Sequence, residues 1–199
     1  QIQSQKFDKS LVLDNLEQNI LTHWDTWGKF QQTWTNRAYK TFKDLDKYIV
    51  MMYLVRNFWQ NLSSKFHYLS MDEFYDLETV TIGKINLIHI SSELNIPKET
   101  IRRKVNFLQD QNIIFRKGKT IFFNNQINRV QKPYNSKKIL VNFLEKTSSI
   151  LGKEDWFGRP FSKEEIEKFI DSYFTICWQH WLRLQIPFLV RHRTFYGDL

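Results

Sequence analysis

Between Lys98 and Asn106 the chain sets Lys98, Glu99, Thr100, Arg102, Arg103 and Asn106 in close succession. These residue types read base edges and hold phosphates. Arg donates to guanine, Asn pairs with adenine, and Glu accepts from the cytosine amino group. A little further on, Arg116, Lys117 and Lys119 surround Gly118. A basic tip of that kind suits a sugar–phosphate backbone or a minor groove. The same residues have a plainer use. Glu99 and Arg103 stand four apart with the acid first, the favourable order for an ordinary helix salt bridge. What surrounds them has to decide.

The flanking apolar residues imply a framework. Ile90 and Leu94 lie four apart on a first short helix, and Ile101, Val105 and Leu108 repeat the 4-then-3 step on a second. Ile96 falls in the turn between them. Asn95 stands where such a turn needs positive φ, and Asn is the best non-glycine choice for that conformation. Pro97 fits the start of the second helix, where a missing N–H costs nothing. On that helix Glu99, Arg103 and Asn106 oppose Ile101 and Val105, with Thr100 and Arg102 flanking and Lys98 at the N-terminal end. Ile85–His89 is β-branched-rich and predicts a strand. Ile113–Arg116 and Thr120–Phe123 bracket Lys117-Gly118-Lys119 and predict a hairpin. Strand, helix, turn, helix, hairpin is the order of a winged helix.

The stretch Ile90–Leu108 resembles the helix-turn-helix of bacterial transcriptional regulators. Lys98-Glu99-Thr100 and Arg103 are similar to the corresponding residues of the cyclic-AMP receptor protein family. In that family the matching basic, Glu and Arg positions contact bases, so the resemblance points to Lys98, Glu99 and Arg103. The hairpin looks equally like the wing of GntR- or MarR-type regulators, and flanking helices are similar to the MarR arrangement, where they build a dimer. The likeness covers only this central segment. Residues 1–80 read as helical and unlike the β-roll of cyclic-nucleotide sensors, so that ligand is not implied.

Either side, the pattern is helical. Leu13, Leu16, Ile20, Trp24 and Trp27, then Phe42, Leu45, Ile49, Met52, Val55, Trp59 and Leu62, recur at helical spacing. The run Tyr48–Val55 is apolar nearly all round and predicts a buried helix. Ser70–Glu73 and Ser162–Glu165 are capping boxes. The second opens a long helix through Ile166, Phe169, Ile170, Tyr173, Phe174, Cys177, Trp178 and Trp181, which Pro187 should end or kink. Pro133 should end the element before it, Ser136 can cap a helix carrying Ile139, Leu140, Phe143 and Leu144, and Gly152–Pro160 reads as a loop. The expected fold is mainly α. Residues 1–80 form an N-terminal helical region, 81–126 a central winged helix with a small hairpin, and 127–199 a C-terminal helical region.

Charge singles out the same centre. The 199 residues carry a net +8, divided as −1 over residues 1–80, +6 over 81–130 and +3 over 131–199. A local basic module beside a nearly neutral body suggests a polyanionic partner. The longest apolar run, Tyr48–Val55, falls far short of the ~20 residues that span a bilayer, and nothing near Gln1 reads as a secretory leader. A start at Gln1 suggests a fragment, a processed form or a trimmed chain. The single Cys177 excludes an internal disulfide framework and a Cys-rich zinc site. A reducing cytoplasm, no membrane and no cofactor are the expectations.

Other constellations are weaker. Cys177 and His180 lie three apart, but two ligands do not make a zinc site. A buried thiol and a partnered histidine are the simpler reading. His180, Arg183, Arg191 and His192 could bind an anionic effector or simply form a basic surface. The seven tryptophans lie at 24, 27, 34, 59, 156, 178 and 181. They can line an effector pocket, but core and dimer interface are the safer assignment. No glycine-rich phosphate loop, metal motif or nucleophile with its base is present, so no enzymatic activity is expected. The sequence predicts a homodimeric, sequence-specific regulator of prokaryotic or phage transcription that binds double-stranded DNA. A replication or plasmid-maintenance protein using the same module, and a winged-helix adaptor that contacts only protein, remain as alternatives.

Overall fold

The structure is a computed structural model and describes residues 9–63, 68–77, 79–124, 134–151 and 160–196. The protein is mainly helical, with one small antiparallel sheet. In chain order the elements are α1 (Lys9–Gln18), α2 (Ile20–Phe42), α3 (Leu45–Ser63), α4 (Met71–Asp76), β1 (Thr79–Lys84), α5 (Leu87–Leu94), α6 (Lys98–Asp110), β2 (Ile114–Lys117), β3 (Thr120–Asn124), α7 (Tyr134–Leu151), α8 (Lys163–Ser172) and α9 (Phe174–Tyr196). Its contacts divide the chain into two compact units. One takes residues 1–36 and 133–168, the other 37–132 and 169–199. Each therefore joins an early and a late piece of the chain, so its core depends on pairings that no local pattern reveals.

In the first unit Phe30 and Trp34 of α2 are buried with Leu140 and Val141 of α7. The rings of Phe30 and Phe143 meet at 4.4 Å, and Trp27 meets Phe143 edge-on at 5.7 Å. The edge-on Trp27–Phe143 arrangement falls within the range of favourable aromatic pairs. The Ser162–Glu165 capping box forms as expected, with the Glu165 carboxylate accepting from the Ser162 N–H and the Ser162 hydroxyl accepting from the Glu165 N–H.

The second unit is organised on α3. Ile49, Val50 and Leu54 are completely buried, as the all-round apolar run predicts, and α3 packs against α9, β1 and α6. Beside it Phe58, Trp59, Phe74, Tyr75, Phe174 and Trp178 form one aromatic cluster. The Ser70–Glu73 capping box starts α4. The sheet order is β1-β3-β2, antiparallel throughout, with a bulge between Thr81 and Gly83. Gly83 adopts φ +109°, and a Cβ there would lie 2.9 Å from Asn61 Nδ2, which donates to the Ile82 carbonyl. The bulge thus needs glycine for both backbone and space.

Several expectations are corrected. Ile85–His89 is not a strand. β1 ends at Lys84 and α5 begins at Leu87, because the Asn86 carbonyl oxygen of the side chain accepts from the N–H groups of Ile88 and His89 and caps a helix there. β-branched content at 85–90 yields to that cap and to burial of Ile90. The long C-terminal helix is interrupted at Tyr173 into α8 and α9. Pro187 does not end α9, which runs on to Tyr196. The carbonyl four residues back belongs to Arg183, and both positions are exposed, so water can replace the lost N–H. Ser136 lies inside the first turn of α7 and not before it. Trp34, Trp59, Trp178 and Trp181 are buried, but Trp24 is 71% exposed. Trp156, Pro133 and the loop from 152 to 159 lie outside the described residues.

Candidate nucleic-acid interface

Asn95 ends α5 in the left-handed conformation, φ 51° and ψ 39°, with its N–H on the Ser91 carbonyl. The Ser91 hydroxyl donates to the Ile96 carbonyl at 2.7 Å. Ile96 is buried at 1% exposure, so the turn is plugged by its own apolar residue. Pro97 occupies the N-cap of α6 and offers no side-chain hydrogen bond to the first turn. Those N–H groups keep the partial positive charge of a helix start.

The buried face of α6 consists of Ile101, Val105 and Leu108. Turned away from it, Lys98, Glu99, Arg102, Arg103 and Asn106 are exposed, and Thr100 is half-buried. Arg102 Nε donates to Glu99 Oε2 at 2.8 Å, and Arg103 Nη2 donates to Thr100 Oγ1 at 3.3 Å. The i, i+4 pair that could have consumed Glu99 and Arg103 does not form. Among the described residues no carboxylate pairs with Arg103.

α6 ends at Asp110, and Asn112, with φ 55°, redirects the chain into β2. Lys117 pairs with Thr120, which leaves Gly118-Lys119 as a two-residue hairpin loop. Gly118 has φ +60°, and positive φ at the first loop position followed by a residue without it is the II′ pattern that suits twisted strands. Arg116, Lys117 and Lys119 are exposed there. On the sheet, Phe115 and Phe122 stack across the strands at 5.2 Å with 9° between ring planes.

Two ion pairs fasten α6 and α5 to α3 and the residue before it, and a third joins α9 to α3. Lys104 of α6 donates to Asp44, just before α3. Arg56 of α3 donates to Glu93 of α5 at 2.5 Å. Arg193 of α9 donates to Asp46. Burial pushes the Asp44 carboxyl up, but the Lys104 ammonium and the Lys47 backbone N–H outweigh it and hold Asp44 below its ordinary value. Glu93 is lowered in the same way, burial being outweighed by the Arg56 guanidinium. Lys47 also lies 4.0 Å above the Phe107 ring, at the edge of the α6 face.

All the site residues expected from sequence are described, and the fold brings them together as two groups, one along α6 and one at the hairpin. Asp44, Asp46, Arg56 and Arg193 were not anticipated. The first three offered no pattern, and Arg193 directly follows Arg191 and His192, which read as an anion-binding or plain basic surface. His180, Arg183 and Arg191 are exposed on α9, and His192 is half-buried. Cys177 is half-buried, and burial pushes its thiol up to about 11. Among the described residues no helix is long and apolar enough to cross a membrane. Compared with known proteins, the chain matches no family model, no curated protein and no solved structure.

Proposed function

We propose that residues 79–124 act as a winged helix and that the protein is a sequence-specific regulator of transcription which binds double-stranded DNA. α6 enters the major groove, where Lys98, Glu99, Arg102, Arg103 and Asn106 meet base edges and Thr100 supports Arg103. Arg116, Lys117 and Lys119 meet the backbone or the minor groove. The observation that supports this reading is the exposed polar face of α6, opposite the buried Ile101, Val105 and Leu108. Such a helix presents donors and acceptors while its apolar face holds it to the body. The chain works as a homodimer, with two copies of α6 entering successive major grooves ~34 Å apart. It carries no enzymatic activity, and a small effector would act through the helices outside residues 79–124.

Selection of bound duplexes from a random pool, at two salt concentrations, tests this. Recovery of a near-palindromic half-site pair, with binding that weakens steeply with salt, is expected. Direct repeats in the recovered DNA would move the protein from promoter control to replication or plasmid maintenance. The exposed Phe107, at 41%, favours one second reading, an adaptor that uses α6 against protein. No duplex binding at either salt concentration would leave that reading in its place.

A further inference from the structure

We infer that Arg193, near the end of α9, is the positioning residue that sets the direction of α6. This rests on the reading of α6 as the DNA-contacting helix. The Arg193 guanidinium uses all of its nitrogens. Nε donates to Asp46 Oδ1, Nη2 donates to Asp46 Oδ2 at 3.2 Å, and Nη1 donates to the Asn95 carbonyl at 3.3 Å. The Asp46 side chain is 2% exposed and that of Arg193 is 19% exposed. A buried carboxylate must keep a partner, and a bidentate one fixes the plane of the guanidinium. With that plane fixed, the two N–H bonds of Nη1 point in set directions, one of them toward the Asn95 carbonyl.

Its acceptor is the pivot of the bihelical turn. Asn95 is the left-handed residue between α5 and α6, and α6 starts three residues later at Lys98. A small rotation at Asn95 would swing the whole of α6. Lys104 already ties the middle of α6 to Asp44, ahead of α3. Arg193 supplies a second point, at the turn, and two points separated along the chain define the helix direction. Both points refer to the start of α3, whose core is completely buried. Lysine at 193 would keep the charge but lacks the rigid fork that reaches carboxylate and carbonyl together.

The test compares wild type with Arg193→Lys and with the neutral pair Asp46→Asn/Arg193→Gln, which leaves no buried charge unpaired. Amide hydrogen exchange is read at the turn, at the N–H groups of Asn95 and Ile96 that bond to the Ser91 carbonyl, and in the α3 core at Ile49 and Leu54. Affinity is read for the selected duplex and for a scrambled one. In Arg193→Lys the turn should exchange ~10-fold faster, the loss of one hydrogen bond from a charged donor, while the α3 core is unchanged. Affinity for the selected duplex should fall ~10-fold and that for scrambled DNA by less than about twofold, because phosphate attraction remains. The neutral pair should show the same pattern. Wild-type exchange at the turn in both variants would overturn the proposal, as would equal loss of protection at turn and core. If wild type itself preferred no duplex, the DNA reading would fail alone, and the exchange comparison would still decide whether Arg193 holds the turn.

Discussion

Glu99 is paired with Arg102, Nε to Oε2 at 2.8 Å, and Arg103 is left beside Thr100. The pair is exposed on both sides, so its contribution to stability is small. Its effect is on geometry, since it holds one carboxylate and one guanidinium side by side and leaves the next guanidinium to turn outward. Arg103→Ala should therefore cost ~1–3 kcal/mol of discrimination at one base pair and leave the fold unchanged. Duplex selection with the variant checks it. Unchanged affinity and unchanged sequence preference would remove Arg103 from the site.

Lys117 and Lys119 sit at the hairpin and should act through charge alone. Lys117→Ala is expected to weaken all duplexes alike and to lower the slope of log K against log salt by ~0.9. A salt titration of binding measures both. A change confined to one sequence would assign Lys117 to base reading instead.

At Asn95 the left-handed backbone, φ 51°, makes a separable prediction. Asn95→Gly should unfold within a few tenths of a kcal/mol of wild type, and Asn95→Val should be less stable by ~1–2 kcal/mol. Urea unfolding followed by circular dichroism distinguishes them. Equal stability for the two variants would mean that the turn can be made without positive φ.

Acid should loosen the attachment of α5 and α6. Asp44 and Glu93 are both held below their ordinary values by cationic partners. Folding then favours the ionised form, so the stabilisation is full above the ordinary carboxylate range. It is lost as pH falls below about 4 and through the lowered folded values. The midpoint of thermal unfolding should hold steady from about pH 8 to pH 5 and then decline, and Asp44→Asn should make the decline shallower. An unfolding midpoint in Asp44→Asn that follows wild type at every pH would show that the Lys104 contact contributes nothing.

Cys177 should be slow to react. With the thiol pushed up to about 11 by burial, roughly one in a thousand is ionised at pH 8. Alkylation by iodoacetamide is expected to be slow in the native protein and to accelerate in urea. Equal rates in the two conditions would mean that Cys177 is reached without unfolding.

What the sequence determined by itself was local. Asn95 as the left-handed turn, Ile101, Val105 and Leu108 as a buried face, both capping boxes and the Lys117-Gly118-Lys119 hairpin all depend on neighbours within a few residues. Backbone sterics and side-chain periodicity act over that range. Where two local signals compete, the pattern alone does not decide, as at Ile85–His89, where β-branched content pointed to a strand and the Asn86 cap made a helix. The tertiary structure alone decided which charges meet. Lys104 finds Asp44 across 60 residues, and Arg193 finds Asp46 across 147. Many acids and bases in the chain could form such pairs equally well, and nothing in their types prefers one match over another. The choice is made when α3, α6 and α9 pack, because burial leaves each ionised group with the partner that the backbone has carried to it.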